Sequence, residues 1–201
     1  MPEHYFSKRP EARYEPFHFK TDLFGHEMKI HSASSIFSSR GLDFGTRLLI
    51  ENCEVPEKAD VLDLGCGYGI VGVSLKKIKP GINVTMLDIN ERATTFAAKN
   101  CKESGVDCNV IHSDLFQNPE VAEKKFDIIL TNPPFSAGKQ VCIEFIKQSY
   151  EHIKKGGSLQ LVAPHNKGGA SLKKVMIEVF GSVDELVKKS GYRVYKATRQ
   201  D

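Results

Sequence analysis

Residues 61–70 read Val61-Leu62-Asp63-Leu64-Gly65-Cys66-Gly67-Tyr68-Gly69-Ile70: a short apolar run, a turn holding three glycines, then the opening of a second apolar stretch. A short apolar run bounded by glycines is the pattern of a buried strand, here feeding a helix. Glycine lets the backbone take positive φ and lets a ligand come close to the main chain. The spacing is Gly-x-Gly-x-Gly, not the Gly-x-Gly-x-x-Gly of dinucleotide binders, and an acid, Asp63, sits just before the first glycine. A carboxylate there is a poor neighbour for a pyrophosphate and a good one for an ammonium group. The turn therefore suits a ligand with a cationic end and no phosphate, a description that S-adenosylmethionine meets. Its expected contacts are Asp63, Gly65, Cys66, Gly67 and Gly69, with Cys66 touching through its main chain. The competing reading is an ordinary strand-to-helix turn.

Outward from this turn, apolar runs alternate with amphipathic stretches. Strands are expected at Asp60–Leu64, Asn83–Asp88, Asn109–His112, Phe126–Leu130 and Ser158–Ala163, and helices at Ile70–Ile78, Glu91–Ser104, Lys139–Ile153 and Ala170–Val179. Strands separated by helices imply a parallel sheet covered on both faces, because parallel strands need crossover connections. The tail, Val183–Val187, a Ser190-Gly191 turn and Tyr192–Lys196, reads as a closing hairpin. Upstream, Leu42–Cys53 has helical spacing, and short strands near Phe17–Leu23 and Glu27–His31 turn at Phe24-Gly25-His26. Residues 1–20 read as an arm with little regular structure. The expected organisation is an arm and short hairpin over residues 1–35 and one α/β domain over 36–201.

Composition narrows the partners. The chain has 201 residues, 40% of them apolar, and a net charge of +3. That charge permits a polyanionic partner without requiring one. Five cysteines, Cys53, Cys66, Cys101, Cys108 and Cys142, form no Cys-x-x-Cys pair, which argues against a zinc site or disulfide framework and for reduced thiols. No apolar run approaches the length of a membrane span and no signal pattern opens the chain, so a cytoplasmic protein is expected. His112 and His165 have no companions at ligand spacing, and no metal is expected.

Two more acids join the rim that Asp63 begins. Asp88 ends the strand after the glycine turn, with Ile89 beside it; a carboxylate there can accept both ribose hydroxyls. A helix cap is the alternative, but Asn90 already fills that place. Asp114, with Leu115, follows the next strand and is placed to meet an adenine amino group. All three acids lie at carboxyl ends of strands, where ligands of such sheets bind.

At the end of the fourth strand stands Thr131-Asn132-Pro133-Pro134-Phe135. Two prolines fix φ and remove two donors, leaving a stiff corner that presents carbonyls, and Pro133 holds Asn132 extended. The Asn132 side-chain oxygen and the Pro133 carbonyl can then accept from one NH2 group, with Pro134 setting the corner, and Asn132 is also expected to border the cofactor. In guanine, adenine or glutamine such a nitrogen is a weak nucleophile, its lone pair delocalised. Two acceptors out of its plane favour a pyramidal nitrogen facing a methyl donor, so that alignment and electrostatics do the catalysis. Phe135 offers a flat face for stacking. A strand-ending loop with Phe135 as core is the bland alternative.

With these residues in order, the chain resembles a class I methyltransferase, and specifically the small-subunit rRNA guanine-N2 methyltransferase family. The glycine turn, Asp88, Asp114 and Asn132–Phe135 match that family's successive motifs. Ile36-Phe37-Ser38-Ser39-Arg40-Gly41-Leu42-Asp43-Phe44-Gly45-Thr46 resembles the stretch preceding its cofactor turn, where glutamine methyltransferases with Asn-Pro-Pro usually carry a proline-containing sequence. The resemblance covers residues 28–197 and implies a Rossmann-like, seven-stranded, mostly parallel sheet with an antiparallel last strand. It also implies S-adenosylmethionine as cofactor and RNA, ribosomal RNA or a ribosomal particle, as partner, with a flipped guanine at the corner. Bacterial members carry an extra N-terminal domain for which this chain is too short, so it resembles the single-domain branch of archaea. The rivals are a protein-glutamine or adenine N-methyltransferase, or a silent RNA-binding protein on the same fold; monomer and homodimer are both open.

Lysine clusters at Lys76-Lys77-Ile78-Lys79, Lys154-Lys155, Lys173-Lys174 and Lys188-Lys189 read mainly as solvated faces. The arm, with Tyr5, Phe6 and Tyr14 among basic residues, and Lys139 beside the corner are the better candidates for RNA contact.

Overall fold

The computed structural model describes residues 15–34, 36 and 41–200. The arm with Tyr5, Phe6 and Tyr14, and Phe37–Arg40 of the stretch before the cofactor turn, lie outside the described residues. A hairpin of β1 (Pro16–Leu23) and β2 (His26–Ala33) comes first, then α1 (Phe44–Asn52). The alternating part runs β3 (Asp60–Leu64), α2 (Ile70–Ile78), β4 (Asn83–Asp88), α3 (Glu91–Ser104), β5 (Asn109–His112), β6 (Phe126–Thr131), α4 (Lys139–His152), β7 (Ile153–Pro164) and α5 (Gly169–Phe180). A closing hairpin of β8 (Asp184–Lys189) and β9 (Tyr192–Thr198) follows.

Seven strands form one sheet in the order β5-β4-β3-β6-β7-β9-β8. The pairs β3–β4, β3–β6, β4–β5 and β6–β7 are parallel, and β9 runs antiparallel to both neighbours. This is the Rossmann-like arrangement expected, with β9 as the reversed strand. The period of two in the central strands sorts side chains between two cores. Val61, Ile128 and Leu130 face the layer of α1, α2 and α3; Leu62, Leu64 and Ile129 face α4 and α5. Each fully buried aliphatic chain contributes about 1.5–3 kcal/mol relative to exposure.

Strand β7 departs from expectation. It begins at Ile153, five residues before the expected Ser158, because Ile153 pairs with Phe126 ahead of a register shift. Gly156 and Gly157 look like a loop in sequence but form this irregular edge; Gly156 takes φ 77° and donates to the Arg199 carbonyl.

One buried amide ties the hairpin to the glycine turn. Asn100 on α3, 0% exposed, accepts from the His31 N–H (2.8 Å) and donates to the His31 (2.9 Å) and Tyr68 (2.8 Å) carbonyls. Several of the lysines in the expected clusters are engaged by the protein itself. Lys76 donates to the Pro80 and Ile82 carbonyls, Lys77 to Ser104, and Lys79 to Glu57. Lys154 pairs with Asp60 and Asp127, and Lys173 with Glu185. Among the described residues no helix is long and apolar enough to cross a membrane.

Candidate active site

The chain leaves β3 toward β4 on one side and returns through β6 on the other. A sheet whose order reverses this way opens a crevice at the carboxyl ends of the strands around the reversal. A cavity of about 270 Å³ lies there, walled by the glycine turn, the ends of β4 and β5, and the corner after β6.

The turn is built by positive φ at Gly65 (73°), Gly67 (56°) and Gly69 (83°), with the Gly65 and Cys66 N–H groups donating to the Leu87 carbonyl. Gly65 and Gly67 line the cavity, as does Cys66, whose thiol burial pushes well above its usual range. Gly69 does not line it. A Cβ there would stand 2.8 Å from Ala97 Cβ and 3.1 Å from Met86 Sδ, so this glycine serves the packing of α3 against the turn. Gly69→Ala is expected to cost roughly 2–5 kcal/mol through overpacking and the left-handed backbone. Urea unfolding reads this, and a midpoint like that of the parent protein would refute it.

Asp63 is 3% exposed and accepts from the Gly72 N–H (3.1 Å) in the first turn of α2. Burial pushes its carboxyl up to about 7, helped by the nearby Asp88 charge and opposed by the Gly72 hydrogen bond. Asp88 clamps two backbone groups, accepting from Gly67 N–H through Oδ2 and from Asn90 N–H through Oδ1, both at 2.8 Å. Burial raises its carboxyl as well, against the pull of these two donors and of His112. Asn90 caps α3 by accepting from Arg92 N–H, as the sequence suggested.

Asp114 and Leu115 complete this wall. Leu115 takes φ 48°, an unfavourable conformation for a branched side chain, held by the Ser113 hydroxyl donating to the Leu115 carbonyl at 2.6 Å. His112 bonds through Nε2 to the Ile89 carbonyl (2.8 Å), joining the ends of β4 and β5.

At the corner, Asn132 and Pro134 line the cavity, while Pro133 and Phe135 do not. Pro134, at φ −76° and ψ 81°, centres a three-residue turn in which the Pro133 carbonyl accepts the Phe135 N–H at 2.9 Å. One of the Pro133 lone pairs is thus engaged inside the corner and the other is left for a further donor. Phe135 is half-buried, its ring lying against Gly168, where a Cβ would be 3.5 Å away. The Asn132 NH2 donates to Thr46 Oγ1 (2.9 Å) and more weakly to Asp43 Oδ1 (3.4 Å).

Three carboxylates, Asp63, Asp88 and Asp114, line the cavity, and no lysine or arginine does among the described residues. Nor do three His, Cys, Asp or Glu side chains gather anywhere among them at metal-binding spacing. Sequence reasoning missed Thr46, Ser113, Val141 and Phe145. Phe145, on α4, floors the turn 3.0 Å from where a Gly65 Cβ would be. Only its helical periodicity was visible beforehand, and that marks core as readily as a site.

The family profile of the methyltransferase small domain matches residues 27–196. The chain belongs to the methyltransferase small domain family. YbxB of Bacillus subtilis, an uncharacterized protein, is 37% identical over 99% of the chain and all of its own length. The expectation that a chain too short for the bacterial pattern belongs with an archaeal branch is thereby corrected, because a bacterial relative has the same extent. Ribosomal RNA small subunit methyltransferase C of Pasteurella multocida is 34% identical over 84% of the chain and 51% of its own length. The chain spans about half the length of the curated rRNA methyltransferases that it matches. Among solved structures, the 16S rRNA N2 G1207 methyltransferase RsmC of T. thermophilus, in complex with AdoMet and guanosine, superposes with a TM-score of 0.80 at 26% identity. That match covers 92% of the chain and 51% of RsmC. A methyltransferase from Pyrococcus furiosus, at 19% identity and TM-score 0.68, shares the fold.

Proposed function

We propose that this methyltransferase small domain protein transfers a methyl group from S-adenosylmethionine to the exocyclic amine of guanine in RNA, with ribosomal RNA as the substrate and the cytoplasm as its place of action. The observation that carries the proposal is the charge of the cavity. Three carboxylates and, among the described residues, no cationic side chain suit a ligand with an ammonium and a sulfonium and no phosphate.

The residues present fit this cofactor. Gly65 and Gly67 keep the wall flat where the methionine end lies against backbone, and Asp63 faces its ammonium. Asp88 takes the ribose hydroxyls on the lone pairs that Gly67 and Asn90 leave open. Asp114 and Leu115 receive the adenine. When bound, S-adenosylmethionine supplies an electrophilic methyl carbon; everything else is alignment by the chain. Asn132 Oδ1 and the free lone pair of the Pro133 carbonyl accept the two hydrogens of the target amine. Its nitrogen lone pair then points along the methyl–sulfur axis. After transfer the nitrogen carries an extra proton and is acidic enough to release it to water, so no strong base is needed. Phe135, beside the corner, stacks on the extruded base.

Asp63 makes cofactor binding pH-dependent. Its carboxyl is raised in the free protein, so a proton must leave before the carboxylate can pair with the ammonium. Affinity is expected to rise about tenfold per pH unit up to about 7 and to fall again above about 8, where the cofactor's own ammonium loses its proton. Calorimetry from pH 5.5 to 8.5, in buffers of different ionisation enthalpy, measures both the affinity and the released proton. A flat profile would remove this role for Asp63.

The deciding experiment is transfer of labelled methyl to total RNA by the purified protein, followed by nucleoside analysis. N2-methylguanosine is the expected product. Labelled N6-methyladenosine, or label in protein glutamine instead of RNA, would replace guanine with one of the rival amines. Tight cofactor binding with no transfer to any of these would indicate a silent binding protein.

A further inference from the structure

Asparagine is an ambiguous catalytic residue. Its amide exposes an acceptor in one orientation and two donors in the other, and only the acceptor can draw on the hydrogens of an amine. Something must decide which end faces the cavity.

Two side chains at the start of α1 meet the Asn132 amide just past the end of β6, Thr46 at 2.9 Å and Asp43, the residue before the helix, at 3.4 Å. Thr46 cannot decide, since a hydroxyl accepts from an NH2 and donates to a carbonyl equally well. Asp43 can, because an ionised carboxylate only accepts. An amide turned the other way would set its oxygen against that charge.

The surroundings keep Asp43 in place. It is the N-cap of α1, with Oδ1 accepting from the Thr46 N–H at 3.0 Å, and the positive end of the helix dipole favours its anion. Its other oxygen, Oδ2, is buried with no hydrogen-bond partner among the described residues. Among the described residues the Asn132 NH2 is thus the one side-chain donor that reaches this carboxyl, sharing Oδ1 with the Thr46 N–H. The crowding at Gly45, where a Cβ would stand 3.0 Å from the Tyr192 ring and 3.3 Å from Asp43 Oδ1, holds this first turn of α1 against β9.

We propose that Asp43 is the positioning residue of the corner: it locks the Asn132 amide with its NH2 toward α1 and its oxygen toward the target amine. This deepens the reading of Asn132 as the amine acceptor and rests on it.

The test uses Asp43→Ser, whose hydroxyl keeps the N-cap while the charge and the reach to Asn132 are lost, alone and combined with Asn132→Asp. Alone, Asp43→Ser is expected to lower kcat roughly ten- to hundred-fold, as misplacement of a reacting group does, with KM for the cofactor and the melting temperature near those of the parent. Asn132→Asp, which sets two carboxylates against each other, should be nearly inactive. Adding Asp43→Ser to it should raise the rate, because the opposing carboxylate is gone. That reversal of sign is what a merely structural residue would not produce. Equal losses in both backgrounds, or a parental rate in Asp43→Ser, would overturn the proposal.

A second measurement does not depend on the substrate. In nitrogen-15 spectra, the Asn132 side-chain NH2 pair, assigned by its loss in Asn132→Asp, should be shifted downfield and protected from exchange in the parent protein, and should lose both features in Asp43→Ser. An unaltered pair would refute the lock. If the parent protein methylates no RNA, the proposed function fails while these resonances still decide the role of Asp43.

Discussion

Asn132→Ala is expected to lower the methyl-transfer rate constant roughly 10²–10³-fold, the usual loss when one preorganised acceptor or donor is taken from a developing charge. The reason is geometric. The Asn132 side chain lines the cavity from the end of β6, its NH2 engaged by Thr46 and its oxygen free for substrate. Truncation leaves the Pro133 carbonyl, half engaged by the Phe135 N–H, as the remaining acceptor at the corner. Cofactor affinity should change by no more than a few-fold, because most of the residues proposed to hold the cofactor lie at or just past the ends of β3, β4 and β5. Single-turnover kinetics with saturating cofactor separates the two quantities. Transfer at the parental rate would show that the amine is bound somewhere else.

The second large effect is expected at Asp88. Its carboxylate joins the glycine turn to the start of α3 through Gly67 and Asn90 while it faces the cavity. Asp88→Ala removes the proposed ribose acceptor and frees two backbone donors at once. Hydrogen bonds to a charged group contribute about 1.5–3 kcal/mol each, so two ribose bonds lost amount to roughly a 10²–10⁴-fold weaker complex. Asp88→Asn, which keeps one acceptor and places an NH2 on the other side, should fall between. Calorimetry with S-adenosylmethionine checks the order; equal affinity in all three proteins would place the ribose elsewhere. Gly69→Ala is the useful contrast, a residue of the same turn whose loss should appear in stability before it appears in binding.

Much of the fold was legible because its signals are local. The limits of β3, α2, β4, α3 and β5 are set by apolar periodicity and by caps and glycines within a few residues of each end. Strand β7 was misjudged at its start because the pairing of Ile153 with Phe126 joins residues that are far apart in sequence. At the site, the three acids of the rim could be placed because each lies at or just past the carboxyl end of a strand, and these ends in a parallel sheet share one side. Gly69 looked like its two neighbours in sequence, yet only the position of Ala97 on α3 separates a packing glycine from a binding one.

Sequence alone therefore determined the alternating fold, the acidic rim and the stiff corner, since periodicity, glycine conformations and proline constraints act over a few residues. Tertiary structure alone decided which residues share a cavity, which glycine packs, and that Asp43 and Thr46 reach Asn132 across 89 and 86 residues of chain. Such contacts are set by how α1 lies on the face of the sheet, and the burial of one apolar face against another fixes that, leaving no trace in the local pattern of either segment.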